Sequence, residues 1–387
     1  MNGWSTLKRS LSFPEPGKLA NLRLFHQEID SPRPDGTTSN APVLLALEVT
    51  TRCNFQCVHC SQSTSHQKPA DLDLGLFRRM IPLSKTAYEL YLFGDGEVLL
   101  DVPRHLAMIA GIHNHDPARK LGFSTNGKLL TPQVYELYAT AGVHYIQISV
   151  DAASRELYEA MRRGGSFAQL IANLEGIATV RRRLPYAPRL HLATVVSRQN
   201  YHELPELAEF ARRYGFVYWY INAEYPHNPG RELLALTAND LARLERIRTD
   251  IVTRYSGDYM VFFDPSIGLS ANDTPWTACP SGVFCTAPWA QFELKATGDV
   301  KVCPYFHEPI TSMAGKSFPE VWNGPEFRRI RRIFASGAGL PSYCSGCTRG
   351  IRTQYLPGFP GLPDTRRITS RLPWKILPER FLRWSDS

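Results

Sequence analysis

An α/β fold built on a parallel sheet is what this sequence predicts, and two observations carry the prediction. Short apolar runs alternate with helix-patterned segments from residue 43 to about residue 222. Strand and helix take turns six times, and strands that alternate with helical patterns are joined as βαβ units. Crossovers of one hand then curl the sheet toward a barrel. Ligands of such sheets bind at the C-terminal ends of the strands, so the chemistry is sought there.

The elements follow in order. Residues 1 to about 40 are rich in Pro, Gly, Ser and Asn without sustained period, and residues 1–42 are expected to form an extended arm. Strands are expected at 43–49, 88–93, 120–124, 145–150, 189–196 and 217–222. Helices are expected at about 73–83, 103–112, 131–141, 167–183 and 203–214. The barrel unit thus spans 43–232, and 233–275 supplies a linking helix and strand. In that helix Leu234, Leu241, Leu244 and Ile247 fall on one side. Residues 276–350 form a second, cysteine-bearing unit, and 351–387 a tail. The tail mixes Arg371, Lys375, Arg380 and Arg383 with Trp374, Ile376 and Phe381. Pro373 and Pro378 break any continuous membrane-surface helix there, so packing against the body is expected.

At the end of the first strand stands Cys53-Asn54-Phe55-Gln56-Cys57-Val58-His59-Cys60. Three thiolates this close on one loop can turn toward a common centre, as the ligands of a four-iron cluster do. Three ligands for four irons leave one iron open to something other than protein. Structural zinc wants four ligands, and no His or Cys follows at finger spacing. A disulfide framework belongs to small secreted chains, and this chain of 387 residues is not small.

Composition bounds the partners. Hydrophobic residues make up 43% and charged residues 21%, enough for a sizeable core. No stretch approaches the ~20 apolar residues that span a bilayer, and no apolar run follows Lys8 and Arg9 as in a signal peptide. A reducing, cytoplasmic setting is therefore expected. The net charge of +8 comes without a like-charge run or a recognition module, which argues against nucleic acid. An acidic electron donor such as a flavodoxin or ferredoxin fits the sign.

The Cys53-x3-Cys57-x2-Cys60 pattern after the first strand resembles the signature of radical S-adenosylmethionine (radical SAM) enzymes. The resemblance implies a (β/α)6 partial TIM barrel and a [4Fe–4S] cluster on three cysteines. It also implies SAM on the open iron, cleaved by one electron to a 5′-deoxyadenosyl radical. His59 stands where the family usually has an aromatic residue near the adenine. Gly94-Asp95-Gly96-Glu97 is similar to the family's Gly-Gly-Glu-Pro segment, with Asp95 replacing a glycine and Val98 the proline. Asn126, in Ser124-Thr125-Asn126-Gly127, and Ser149 with Asp151 after the fourth strand resemble segments that meet the ribose or methionine of SAM. Alone, Asn126 is an ordinary turn residue and Asp151 an ordinary helix N-cap. Arg162 and Arg163 resemble a segment where an arginine pairs with the SAM carboxylate; Arg162 is taken as the inward one. Ser197, ending the fifth strand, is placed on the adenine side.

Five further cysteines are Cys279, Cys285, Cys303, Cys344 and Cys347. Residues 290–302 alternate and turn at Thr297-Gly298-Asp299, a hairpin with Cys285 and Cys303 at its base. With Cys344-x2-Cys347 they supply four ligands, and by spacing alone zinc and iron–sulfur are both open. The arrangement resembles the SPASM/Twitch extension of radical SAM enzymes, and nothing cysteine-bearing follows Cys347. The shorter Twitch form with one auxiliary [4Fe–4S] cluster is therefore expected, of the 2-deoxy-scyllo-inosamine dehydrogenase type. Cys279 is left over as a core thiol, a hydrogen-atom donor or a replacement ligand.

The function expected is oxidation of a small polar, sugar- or cyclitol-like substrate, the auxiliary cluster accepting an electron. Such a step needs a base; Glu224 and His227, after the sixth strand, are the candidates, with a solvated loop as the plain alternative. A short N-terminal arm leaves no room for a winged-helix leader-recognition domain, which weighs against a ribosomal-peptide substrate. Two alternatives stand beside this: a radical epimerase or peptide-modifying enzyme, and a non-catalytic zinc or iron–sulfur binding protein.

Overall fold

The computed structural model describes residues 16–63, 68–117, 119–223, 234–264, 267, 285–304 and 308–336. Six strands follow the expected alternation: β1 (Leu44–Glu48), β2 (Glu89–Phe93), β3 (Lys120–Thr125), β4 (Tyr145–Ser149), β5 (Arg189–Val196) and β6 (Phe216–Ala223). They pair in parallel, each with the next. A seventh, β7 (Met260–Phe263), adds in parallel to β6. The fold is the expected α/β partial barrel, with a C-terminal unit added to its sheet.

Alternation within the strands explains the two faces. In β5, Leu190, Leu192, Thr194 and Val196 are buried against helices, while His191, Ala193 and Val195 look inward and are half-buried. The inner face carries a stack of rings. Tyr145 lies parallel to Tyr91 at 6.3 Å and to His191 at 4.5 Å, and His191 meets Tyr218 edge-on at 5.3 Å. Gly122, opposite Tyr145, makes room for that ring: a Cβ there would stand 2.1 Å from it.

The helices lie between the strands as α2 (Leu74–Met80), α3 (Val102–His115), α4 (Pro132–Thr140), α5 (Arg155–Met161), α6 (Phe167–Arg183) and α7 (Leu204–Arg213). Their starts are written in the sequence. Asp101 accepts from the Arg104 amide at the head of α3, Thr131 caps α4, and a proline follows each cap. Helix α8 (Ala238–Tyr255) begins with a reciprocal Thr237–Asp240 capping box. Among the described residues no helix is long and apolar enough to cross a membrane.

The expected extended arm is corrected by helix α1 (Pro16–Asp30). Leu22, Phe25 and Ile29 recur on one face and are buried in the main core, a stripe that the surrounding Pro and Gly obscured. Lys18, 2% exposed, pairs at 2.6 Å with Asp116, fully buried. Lys18→Met would remove a buried charge-assisted hydrogen bond from that carboxylate and is expected to lower stability by roughly 1.5–3 kcal/mol; a urea melt measures it.

The C-terminal unit does not stand apart. After α9 (Ala287–Ala290), strand β8 (Gln291–Leu294) pairs in parallel with β1. Then β9 (Asp299–Lys301) and β10 (Thr311–Ser312) continue antiparallel, giving one sheet in the order β10-β9-β8-β1-β2-β3-β4-β5-β6-β7. Helices α10 (Phe318–Trp322) and α11 (Pro325–Ser336) close over it. The segment between α1 and β1 is threaded into this unit. Thr38 and Asn323 exchange two hydrogen bonds, and the Trp322 indole donates to Asn40 O at 2.7 Å. Arg331, fully buried, donates to Pro288 O and Trp322 O and lies 4.4 Å over the Trp322 ring.

Candidate active site at the cysteine loop

Cys53, Cys57 and Cys60 leave the C-terminal end of β1 on a loop without helix or strand, and backbone hydrogen bonds fix it from two sides. On one side Gly96 N donates to Thr50 O at 3.2 Å and Glu97 N to Arg52 O at 2.7 Å. On the other, Gln56 N donates to Arg163 O and Val58 N to Met161 O, at 2.8 and 2.9 Å. Gly94 and Gly96 serve this packing. A Cβ on Gly94 would stand 2.5 Å from Thr50 O, and one on Gly96 2.1 Å from Arg52 O. Close approach of backbone to backbone is what these two glycines allow, and the partner is the cysteine loop.

Cys53 is exposed, Cys57 buried and Cys60 half-buried. Burial pushes the Cys57 thiol up to about 11, with Arg162 acting against it, and raises Cys53 as well. Metal binding would deprotonate these thiols. Among the described residues no three His, Cys, Asp or Glu are gathered tightly enough for a single metal ion. A cubane cluster spreads its thiolates farther apart than one ion does, and three thiols on a braced loop suit it.

The strand ends bring their residues to the same face. Glu97, buried, accepts from Asn126 N at 2.7 Å, Thr125 Oγ1 at 2.8 Å and Leu99 N at 3.0 Å. Its carboxylate is thus a brace between the ends of β2 and β3. Burial raises its pKa, opposed by those donors. Asn126 Nδ2 donates to Asn54 Oδ1 at 2.8 Å, tying β3 to the cysteine loop. Asn54 was missed from sequence, and its place between two cysteines was the available signal.

Asp151 gathers a second group. Arg162 Nη2 lies 2.8 Å from Asp151 Oδ2 and His59 Nε2 3.4 Å from it, while Val195 N donates to Oδ1 at 2.9 Å. Burial favours a neutral His59, against the pull of Asp151. Burial acts the same way on Arg162, yet Asp151 holds its pKa above the ordinary value. Arg162 Nε is buried without a hydrogen-bond partner. A donor left over in a buried guanidinium fits an anionic ligand such as the SAM carboxylate. Ser149 ends β4, half-buried. Ser197 is drawn elsewhere: its amide and hydroxyl bond Asn200 Oδ1 at 2.7 and 3.1 Å, closing the turn after β5.

Asp95 is half-turned to Lys295, the residue following β8, at 2.6 Å. Lys295 also meets Glu48 at 2.6 Å and Glu293 at 3.8 Å. Burial, with Asp95 adding to it, pushes Glu48 from 4.5 up to about 7 against the pull of Lys295. A carboxyl raised on folding contributes stability that is full below its unfolded value and lost as pH rises through the folded one. Stability is therefore expected to fall between 4.5 and about 7, and Glu48→Gln to flatten that slope in urea melts across the window.

Cys285 and Cys303, both half-buried, flank α9 and the β8–β9 hairpin that the sequence predicts. Cys279, Cys344, Cys347, Glu224 and His227 lie outside the described residues.

Residues 47–211 match the radical SAM superfamily, and residues 285–348 the SPASM iron–sulfur cluster-binding domain. The chain carries a radical SAM domain joined to a SPASM domain. It therefore uses a [4Fe–4S] cluster, SAM and auxiliary iron–sulfur ligation. The chain is 28% identical over 336 residues to mycofactocin maturase MftC of Mycobacterium ulcerans (strain Agy99), covering 84% of this chain and 86% of that one. It is 24% identical over 331 residues to the AdoMet-dependent heme synthase of Methanosarcina barkeri (strain Fusaro / DSM 804), covering 80% and 92%. Streptococcus suis SuiB bound to precursor peptide SuiA shares the fold, with a TM-score of 0.58, 16% identity and coverage of 77% and 68%. The expected kinship with 2-deoxy-scyllo-inosamine dehydrogenase-type Twitch proteins finds no support in these matches.

Proposed function

We propose that this chain is a peptide-modifying radical SAM enzyme, with Cys53, Cys57 and Cys60 as ligands of the SAM-binding cluster. The observation that carries the enzyme reading is the convergence of that loop with the ends of β2, β3 and β4 on one face. Support for a peptide substrate comes from the maturase relative, matched over most of both chains. The sugar- or cyclitol-like substrate expected from sequence has no such support. The heme synthase relative makes a non-peptide substrate the second reading.

When bound, the cluster and SAM supply hydrogen-atom abstraction from an unactivated carbon. The chain's own residues hold and orient. Arg162, fixed by Asp151, has a spare buried donor for the SAM carboxylate. His59, kept neutral by burial, offers a flat ring beside the adenine. Glu97 and Asn126 hold the surrounding strand ends in register. Cys285, Cys303, Cys344 and Cys347 are assigned to an auxiliary cluster, and Glu224 or His227 to proton removal. Cys279 remains a candidate hydrogen donor.

The test is anaerobic reconstitution followed by incubation with SAM, dithionite and short peptides encoded beside the gene. Expected are 5′-deoxyadenosine and a mass change in one peptide. Turnover of a non-peptide substrate with every peptide unchanged selects the second reading. No reductive SAM cleavage at all would sink both.

A further inference from the structure

Lys295 sits where three separate segments of the sheet's C-terminal edge come together. Its ammonium is 2.6 Å from Glu48 at the end of β1, 2.6 Å from Asp95 after β2, and 3.8 Å from Glu293 on β8. The Glu48 and Glu293 side chains are 0% and 5% exposed, and Lys295 is 12% exposed. Carboxylates this close and this buried repel one another unless a cation stands between them. A point-like ammonium with three protons can serve three such acceptors. Glu48 also joins the two sides through the backbone: its Oε1 accepts from Asp95 N at 3.3 Å and its Oε2 from Ala296 N at 2.8 Å.

Asp95 stands where the cysteine loop is braced. Gly94 and Gly96, its neighbours, press against Thr50 and Arg52. On the other side, the chain runs from Lys295 through β9 to Cys303. We propose that Lys295 is a positioning residue that clamps the loop Gly94–Glu97 to the β8–β9 hairpin, so that the SPASM unit sets the geometry of the segment that braces the cysteine loop. The inference rests on the reading of Cys53, Cys57 and Cys60, whose loop Gly94–Glu97 braces, as ligands of the SAM-binding cluster. Without the ammonium, Asp95, 40% exposed on its side chain, is free to swing toward water. The loop then keeps only the Glu48 bridge to the hairpin, without the cation that holds Glu48 and Asp95 together, while the bonds from Gly96 and Glu97 to the cysteine loop remain.

The test compares Lys295→Met, Asp95→Asn and their double variant. Glu48→Gln/Lys295→Met serves as a second form that buries one fewer unpaired charge. Amide hydrogen exchange is read on the protein before cluster reconstitution, and SAM affinity by calorimetry afterwards. Lys295→Met is expected to speed exchange at both Asp95 and Ala296 by about tenfold, with iron content unchanged. SAM binding should weaken by about tenfold, the scale of one charge-assisted hydrogen bond. Asp95→Asn should weaken SAM to a similar degree, and the double variant no further, because both remove one shared interaction. Additive losses, or faster exchange at Ala296 alone, overturn the proposal by confining Lys295 to the hairpin. A wild-type protein that binds no SAM defeats the reading beneath it, and the exchange data show separately whether the clamp exists.

Discussion

Cys57→Ala protein, reconstituted with iron and sulfide, is expected to hold about four fewer irons per chain than wild type, the content of one cubane cluster. Reductive SAM cleavage should vanish with them. Cys57 is the most buried thiol of its loop, and both faces of that loop are held by backbone bonds to other segments. No neighbouring thiol can therefore slide into its place. The matching change at the other unit has a different signature. Cys303→Ala should lose auxiliary iron and peptide turnover while retaining SAM cleavage. Iron analysis and chromatography of 5′-deoxyadenosine separate the two, and equal iron in Cys57→Ala and wild type would refute the ligand assignment.

Asp151→Ala has the larger cost to the fold. Its carboxylate faces Arg162 and His59 in a buried setting and takes the Val195 amide as well. Removing it leaves the guanidinium, 5% exposed, without its anion. Breaking such a pair from one side costs about 3–5 kcal/mol. A fall of that size is expected in urea melts of the cluster-free protein, together with loss of SAM binding after reconstitution. Arg162→Met in the same background should recover part of the stability, since no unpaired charge is then buried, but none of the SAM binding. Unchanged stability in Asp151→Ala would show that the three groups are not coupled.

Much of this was legible in the sequence because it was local. The alternation of apolar runs and caps located the six strands and the helices between them except α5, with α6 and β5 at the residues expected. The cysteine spacing and the polar residues at the strand ends marked one face for chemistry. What the sequence hid was long-range. Asp95 looked like a departure at a ligand contact, yet it meets a lysine 200 positions away. Ser197, placed on the adenine side from sequence, also closes a turn, its hydroxyl bonding Asn200. Helix α1 was masked by flanking Pro and Gly, and only its fit against the core and the Lys18–Asp116 pair reveal it. Substrate class was the least legible, because no short stretch encodes it; the expected small polar substrate gives way to a proposed peptide, a reading supported by a maturase matched over 84% of this chain.

The pairing of β8 with β1 fixes the spacing between the two cysteine-bearing ends of the sheet. Leu44 stands beside Gln291 and Leu47 beside Leu294, while Lys301 returns opposite Glu293. Cys303 is thereby carried back toward the start of β1, and the Cys53–Cys60 loop leaves from the other end. Strands rise about 3.3 Å per residue, so roughly five residues of sheet, about 16 Å, separate the two places. A ladder of backbone hydrogen bonds sets that gap, and no hinge lies along it. The spacing between the two ends of β1 is thus set by strand pairing alone.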